Sequence, residues 1–284
     1  MNILKKIKLT FRNYISHLYF LPFLNKPFPK KPFCSRPLAS KETYLRLHEE
    51  AITNINQSIK EYELISGYSI SDDFINELAL YTQICIKKSK LNFQHGRLLY
   101  SVISEYINKK KTQNSGNNKP IIVFETGTAK GFSSICMSKA FSDHNAFGII
   151  TTIDCISHNE KMFWNSISDW TGPRTRQQLL SRWEEELSRI IFMQGWSESL
   201  SLIGFNRIHF AFLDAQHTKK DVLREFEYVS KRQKRGDIVV FDDVTAGVFD
   251  GVCEAIYEIK NNYSYKVLII DSDKSRGYAI ATKQ

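Results

Sequence analysis

From Pro120 onward the chain alternates short apolar runs, rich in β-branched residues, with longer segments of helical pattern, and no other feature restricts its fold as much. "IIVFET" precedes "GFSSICMSKAF", and "GIITTID" precedes a long connection and "RQQLLSRWEEELSRI". "IIFMQG" precedes "SESLSLI", "IHFAFLD" precedes "KKDVLREFEYVSKRQ", and "DIVVFDD" precedes "DGVCEAIYEIKNN". Strand then helix, repeated, predicts a parallel sheet covered by helices on both faces. The ending differs: "YKVLIID" and "GYAIATK" are separated only by "SDKSR". So short a connection joins antiparallel strands, since a parallel crossover needs a dozen residues or more. The expectation is an α/β doubly wound sheet, mostly parallel, with an antiparallel last strand.

The region before it reads differently. Between Lys41 and Lys111, "YLRLHEEAITNINQSIKEYELI", "SDDFINELALYTQICIKKS" and "QHGRLLYSVISEYINKKK" repeat apolar residues at three and four, which predicts helices. Ser71, followed by two acidic residues, reads as an N-cap. "KKKTQNSGNNKP" then reads as a loop. Three units follow: a basic aromatic arm over 1–40, a helical cap over 41–118 and a cofactor-binding domain over 119–284.

The net charge of +9 belongs to the arm: residues 1–40 hold eight of the 39 Lys and Arg and none of the 30 Asp and Glu. The rest is close to neutral, which argues against a nucleic-acid partner. The arm interleaves cations with Phe, Tyr and Leu, so it either packs on the body or meets an anionic membrane surface peripherally. Five scattered cysteines without a C-x-x-C pair read as reduced thiols of a cytoplasmic protein.

In open α/β sheets ligands bind beyond the carboxyl ends of the strands, and the first strand-to-helix turn is the usual cofactor loop. Here it is Glu125-Thr126-Gly127-Thr128-Ala129-Lys130-Gly131. The G-x-x-x-G spacing is neither the dinucleotide G-x-G-x-x-G nor a phosphate-binding P-loop. Glu125 beside the loop favours a cofactor of cationic character over a pyrophosphate. Asp154, ending the next strand, can accept hydrogen bonds from both hydroxyls of a ribose. At the other end, Asp214 closes one strand, and Asp242 with Asp243 closes the next. Strands that pair lie within about 5 Å of each other, so three carboxylates crowd one edge. A divalent cation, Mg²⁺ most simply, would neutralise them; the alternative is that strand-end Asp residues cap the following helices.

These residues together resemble the class I S-adenosylmethionine (SAM) dependent O-methyltransferases. "FETGTAKGFSS" is similar to their E-x-G-T-x-x-G-x-S motif, and "IDCISH", "FMQGWSESL", "FLDAQHTKKDVLREF", "GDIVVFDDV" and "RGYAIA" follow in the family's order. The resemblance implies a Rossmann-like fold. It also implies that Glu125, Gly127, Thr128, Gly131 and Ser133 form the methionine side of a SAM site and that Asp154 holds the ribose. Gly195, Trp196 and Ser197 would border the adenine, with Asp214 reaching both cofactor and metal. Gln94, His95 and Gly96 match a segment that closes over the methyl donor, though His95 reads equally as a surface histidine. The metal would sit on Asp214, Asp242 and Asp243. His217, in "DAQH", falls where the family places a general base, while Thr218 and Asp221 are left to cap the next helix. An imidazole can take a hydroxyl proton near neutral pH.

The amine-methylating branch carries a [DN]-P-P-[YF] segment where this chain has "FLDAQH", so oxygen is the expected acceptor atom. The acceptor expected is a small molecule or glycan. The long connection Ile156–Arg176 carries His158, Trp164 and Trp170, which read either as an acceptor wall or as ordinary packing. A nicotinamide-dependent oxidoreductase and a non-catalytic binding module are the competing readings. The glycine spacing and the antiparallel end count against the first, and the clustered carboxylates with His217 against the second.

Overall fold

The structure, a computed structural model, describes residues 32–113, 119–270 and 276–284. The expected membrane contact of residues 1–40 falls mostly outside them. No helix among the described residues is long and apolar enough to cross a membrane.

Among the described residues four helices lead into the sheet: α1 (Lys41–Ile52), α2 (Gln57–Ser66), α3 (Asp72–Thr82) and α4 (His95–Gln113). The first helical pattern is thus two helices. The break falls where Asn56 turns its side chain to cap α2, accepting from the Ile59 N–H at 3.1 Å; an Asx cap competes with helix continuation. Ser71 occupies the N-cap position of α3, but its side chain makes no capping bond, and Asp72 and Asp73 supply the favourable charge there.

Seven strands follow: β1 (Ile121–Thr126), β2 (Gly148–Asp154), β3 (Ile190–Gln194), β4 (Phe210–Leu213), β5 (Ile238–Phe241), β6 (Tyr265–Ile270) and β7 (Tyr278–Lys283). They lie in the order β3-β2-β1-β4-β5-β7-β6. The first five pair in parallel, and β7 enters antiparallel to both β5 and β6. The connecting helices are α5 (Phe132–Asp143), α6 (Lys219–Ser230) and α7 (Asp250–Asn262). The segment "RQQLLSRWEEELSRI" is only short turns, Arg176–Leu179, Ser181–Trp183 and Glu184–Leu187, rather than one helix. Leu180, with ψ near zero, ends the first turn.

β1 and β4 are apolar on both faces, as central parallel strands must be. One core joins Phe132, Ile135 and Phe212 to Tyr44, Ile75, Leu99 and Ile103 of the leading helices. The other packs Phe226, Val229, Val252 and Ile256 of α6 and α7 against Phe124, Ala211 and Phe241. The strand order reverses between β1 and β4, which opens a crevice above their carboxyl ends.

Candidate functional site

β1 runs out at Thr126 and turns through Gly127–Gly131 into α5. Gly127 has φ +86°, and a Cβ there would stand 2.1 Å from the Asp214 carbonyl oxygen, so only glycine lets the exits of β1 and β4 come this close. Asp154 is pinned by two backbone donors at 2.7 Å, the Ala129 N–H on Oδ2 and the Ile156 N–H on Oδ1. A carboxylate has about four acceptor positions, so Asp154 keeps capacity for further donors. A cavity of about 270 Å³ opens here, lined among others by Gly127, Asp154, Gly195, Trp196, Ser197 and Asp214. Six of the residues expected at a SAM site therefore meet around one hollow.

Glu125, Thr128 and Ser133 stand behind it. Glu125 is fully buried, with the hydroxyls of Ser133 and Ser134 donating to its two carboxylate oxygens. Burial pushes its pKa up, and those hydroxyls pull it back. Thr128 shares a hydroxyl hydrogen bond with Thr152, and Gly131, at φ +93°, opens α5. These residues shape the loop from beneath.

Two buried cations hold the loop from the other side. Arg176, 1% exposed, donates from Nε to the Ala129 carbonyl at 2.9 Å and from Nη2 to that of Ile156 at 3.3 Å. Lys130 donates from Nζ to the Asn165 carbonyl at 3.1 Å. In the sequence both look like solvated surface charges, and nothing local marks them otherwise.

The residues proposed for the acceptor are dispersed. Trp164 is fully buried in a satellite core with Ile156, Met162 and Leu179, and its Nε1 donates to the Arg174 carbonyl at 2.8 Å; it has no open face to offer an acceptor. Trp170 is half exposed and donates to the Ala39 carbonyl at 2.8 Å, tying this connection to the chain before α1. His158 stacks on Phe192 at 4.1 Å, and burial, with Arg176 nearby, pushes its pKa down to about 4. His95, read also as a surface histidine, is buried against Phe132 and Phe212; burial and then Arg276 push its pKa well down, so it is neutral.

At the ends of β4 and β5 the expected carboxylates do converge. Asp243 has φ +58°, a left-handed conformation that Asp tolerates better than most residues. Its Oδ2 lies 2.8 Å from His217 Nε2, and that hydrogen bond raises the His217 pKa against the effect of burial. His217 is half exposed and rests on Phe249 at 4.7 Å. Thr218 caps α6, accepting from the Asp221 N–H at 3.3 Å, so the imidazole is not needed as a cap. One ligand atom each from Asp214, His217 and Asp243 lie within 4.8 Å of one another.

A cation from the chain itself already stands among these acids. Arg276 places Nε 2.8 Å from Asp242 Oδ1 and 2.7 Å from Asp243 Oδ1, with Nη2 3.6 Å from Asp214 Oδ1. Burial and the neighbouring carboxylates push Asp214 and Asp242 up, Arg276 opposing this in both. Asp243 is lowered: its bonds to His217 and Arg276 outweigh burial. Arg276 was missed because it precedes the last strand, far from the strand-end acids in sequence. The signal lay in topology: an antiparallel strand brings its amino end to the edge where parallel strands present their carboxyl ends. The β5–β7 register, Phe241 opposite Ala279, does this.

Residues 124–244 match a family model described as a methyltransferase domain. Among solved structures, the chain is similar to the O-methyltransferase TomG from Streptomyces achromogenes in complex with SAM. The identity is 16% over 81% of this chain and 96% of that one, with a TM-score of 0.51. It is also similar to the O-methyltransferase from Bacillus cereus in complex with SAH, at 14% identity over 86% and 100% of the two chains and a TM-score of 0.48. Comparison with curated proteins finds no match. The likeness to TomG speaks for the fold, and the family model for a methyltransferase domain over residues 124–244, less than half of the chain.

Proposed function

We propose that this enzyme transfers the methyl group of SAM to a hydroxyl of a small molecule or sugar, with His217 as the general base. The observation that carries this reading is the His217–Asp243 contact of 2.8 Å at the mouth of the crevice, next to Asp214 on the cavity wall. SAM supplies a sulfonium methyl that moves to the acceptor oxygen as the carbon–sulfur electron pair returns to sulfur, leaving S-adenosylhomocysteine.

The donor set suits such a ligand. Asp154 retains acceptor capacity toward a ribose, and the Gly127 turn leaves room above the loop for the methionine end. Half-exposed His217 can reach an acceptor in the crevice and take its hydroxyl proton on a ring nitrogen, while Asp243 orients the ring and stabilises the imidazolium that forms.

A divalent metal fits the donor set poorly. Asp243 Oδ2 is engaged by His217 and its Oδ1 by Arg276, and Asp242 Oδ1 is engaged by the same guanidinium. An ion on these oxygens would have to displace Arg276 or lie against it, so no step of the transfer is drawn through a metal.

The test is incubation with methyl-labelled SAM and a panel of phenolic and sugar acceptors. His217→Ala is expected to lower turnover by about 10²–10⁴ while S-adenosylhomocysteine still binds as in the wild type. An unchanged rate removes His217 from the mechanism.

A further inference from the structure

We propose that Arg276 takes the place of a divalent cation between the strand-end carboxylates, so that the site works without added metal and loss of the guanidinium turns these acids into a cation site. The binding half of this stands on geometry alone; the half concerning turnover rests on the methyl-transfer reading above.

Three carboxylates at one edge carry a repulsion that something must offset. A guanidinium presents several N–H donors in a fixed plane, which lets one side chain meet several carboxylates at once. Here a single Nε stands within 2.8 Å of Asp242 and Asp243, and Nη2 faces Asp214. The cation is held in place by the fold. A Cβ on Gly277 would stand 2.2 Å from the Val244 carbonyl oxygen, and the Gly277 N–H donates to Thr245 Oγ1 at 3.0 Å. The Val244 N–H donates back to the Gly277 carbonyl at 2.9 Å, so the backbone beside Arg276 is stitched to the backbone just past Asp243.

Asp243 Oδ2 is taken by His217 and its Oδ1 by Arg276, and Asp242 Oδ1 meets the same guanidinium, so the oxygens that would face an ion already face a cation of the chain. Without Arg276, three carboxylates remain with oxygen donors and no counter-charge, the environment that hard cations such as Mg²⁺ and Mn²⁺ select.

The experiment uses full-length protein freed of metal with EDTA and titrated with Mn²⁺, read by electron paramagnetic resonance. The wild type is compared with Arg276→Ala, with Arg276→Gln, which keeps most of the side chain and removes the charge, and with Arg276→Lys, which keeps the charge. The wild type and Arg276→Lys are expected to take up no stoichiometric Mn²⁺, and the two neutral variants to bind one ion at least roughly tenfold more tightly. Stoichiometric Mn²⁺ on the wild type overturns the proposal. So does a failure of both neutral variants to gain binding, because an arginine that only braces the fold would lower stability without creating a cation site. S-adenosylhomocysteine affinity is measured on the same samples with and without Mn²⁺. Its absence throughout would sink the methyltransferase reading and leave the Mn²⁺ result standing by itself.

Discussion

Replacing Glu225 with Gln should stabilise the protein at alkaline pH and leave it unchanged in acid. Glu225 lies on α6, 1% exposed, and accepts a hydrogen bond from Thr126 Oγ1 at 2.7 Å where β1 enters the cofactor loop. Burial pushes its pKa from 4.5 up to about 7, with the Thr126 and Ser197 hydroxyls and Arg224 offsetting part of that cost. An acid whose folded pKa is raised binds more protons folded than unfolded, so stability falls as pH rises from about 4.5 to about 7 and stays reduced above. A shift of that size is worth about 3 kcal/mol. Gln keeps the oxygen that accepts from Thr126 and carries no charge to desolvate. The Tm of Glu225→Gln should therefore exceed that of the wild type by roughly 5 °C or more at pH 8 and converge with it at pH 4. Thermal unfolding followed by circular dichroism across this range checks it. A Tm difference that does not change with pH would refute the burial argument.

Further outcomes follow from the same geometry. Gly127→Ala forces a left-handed φ on a side-chain residue and pushes a Cβ into the Asp214 carbonyl; a loss of about 2 kcal/mol or more in urea unfolding is expected. Asp154→Ala frees the Ala129 and Ile156 N–H groups together and should weaken S-adenosylhomocysteine by roughly tenfold or more in calorimetry. The His217 pKa is raised by Asp243, and as the proposed base His217 must be neutral to act. The rate should therefore climb with pH and level off above the usual histidine range, and Asp243→Asn should move that limb to lower pH.

Much of the fold is legible in the sequence because sheet periodicity and turn residues are local. "IIVFET" and "GIITTID" become β1 and β2 at the expected bounds, and the short "SDKSR" link does join antiparallel strands. The failures are also local: helical periodicity alone could not register the Asn56 cap that splits one helix in two, or the broken turns between Arg176 and Leu187. Within the site, Gly127, Asp154 and Asp214 could be read off because strand ends gather at one edge by topology. Arg176 and Lys130 could not, since their burial depends on Asn165 and Trp164 folding over the loop. Arg276 could not be read beside these acids, because the acids are marked by their own strands while the guanidinium arrives on another.

The most direct test of the account is isothermal titration of the protein with S-adenosylhomocysteine in EDTA, with NAD as the control ligand. Saturable binding of S-adenosylhomocysteine, weakened by Asp154→Ala and absent for NAD, is the predicted result. Binding of NAD without S-adenosylhomocysteine, or of neither, would contradict the assignment of the Gly127 loop to SAM.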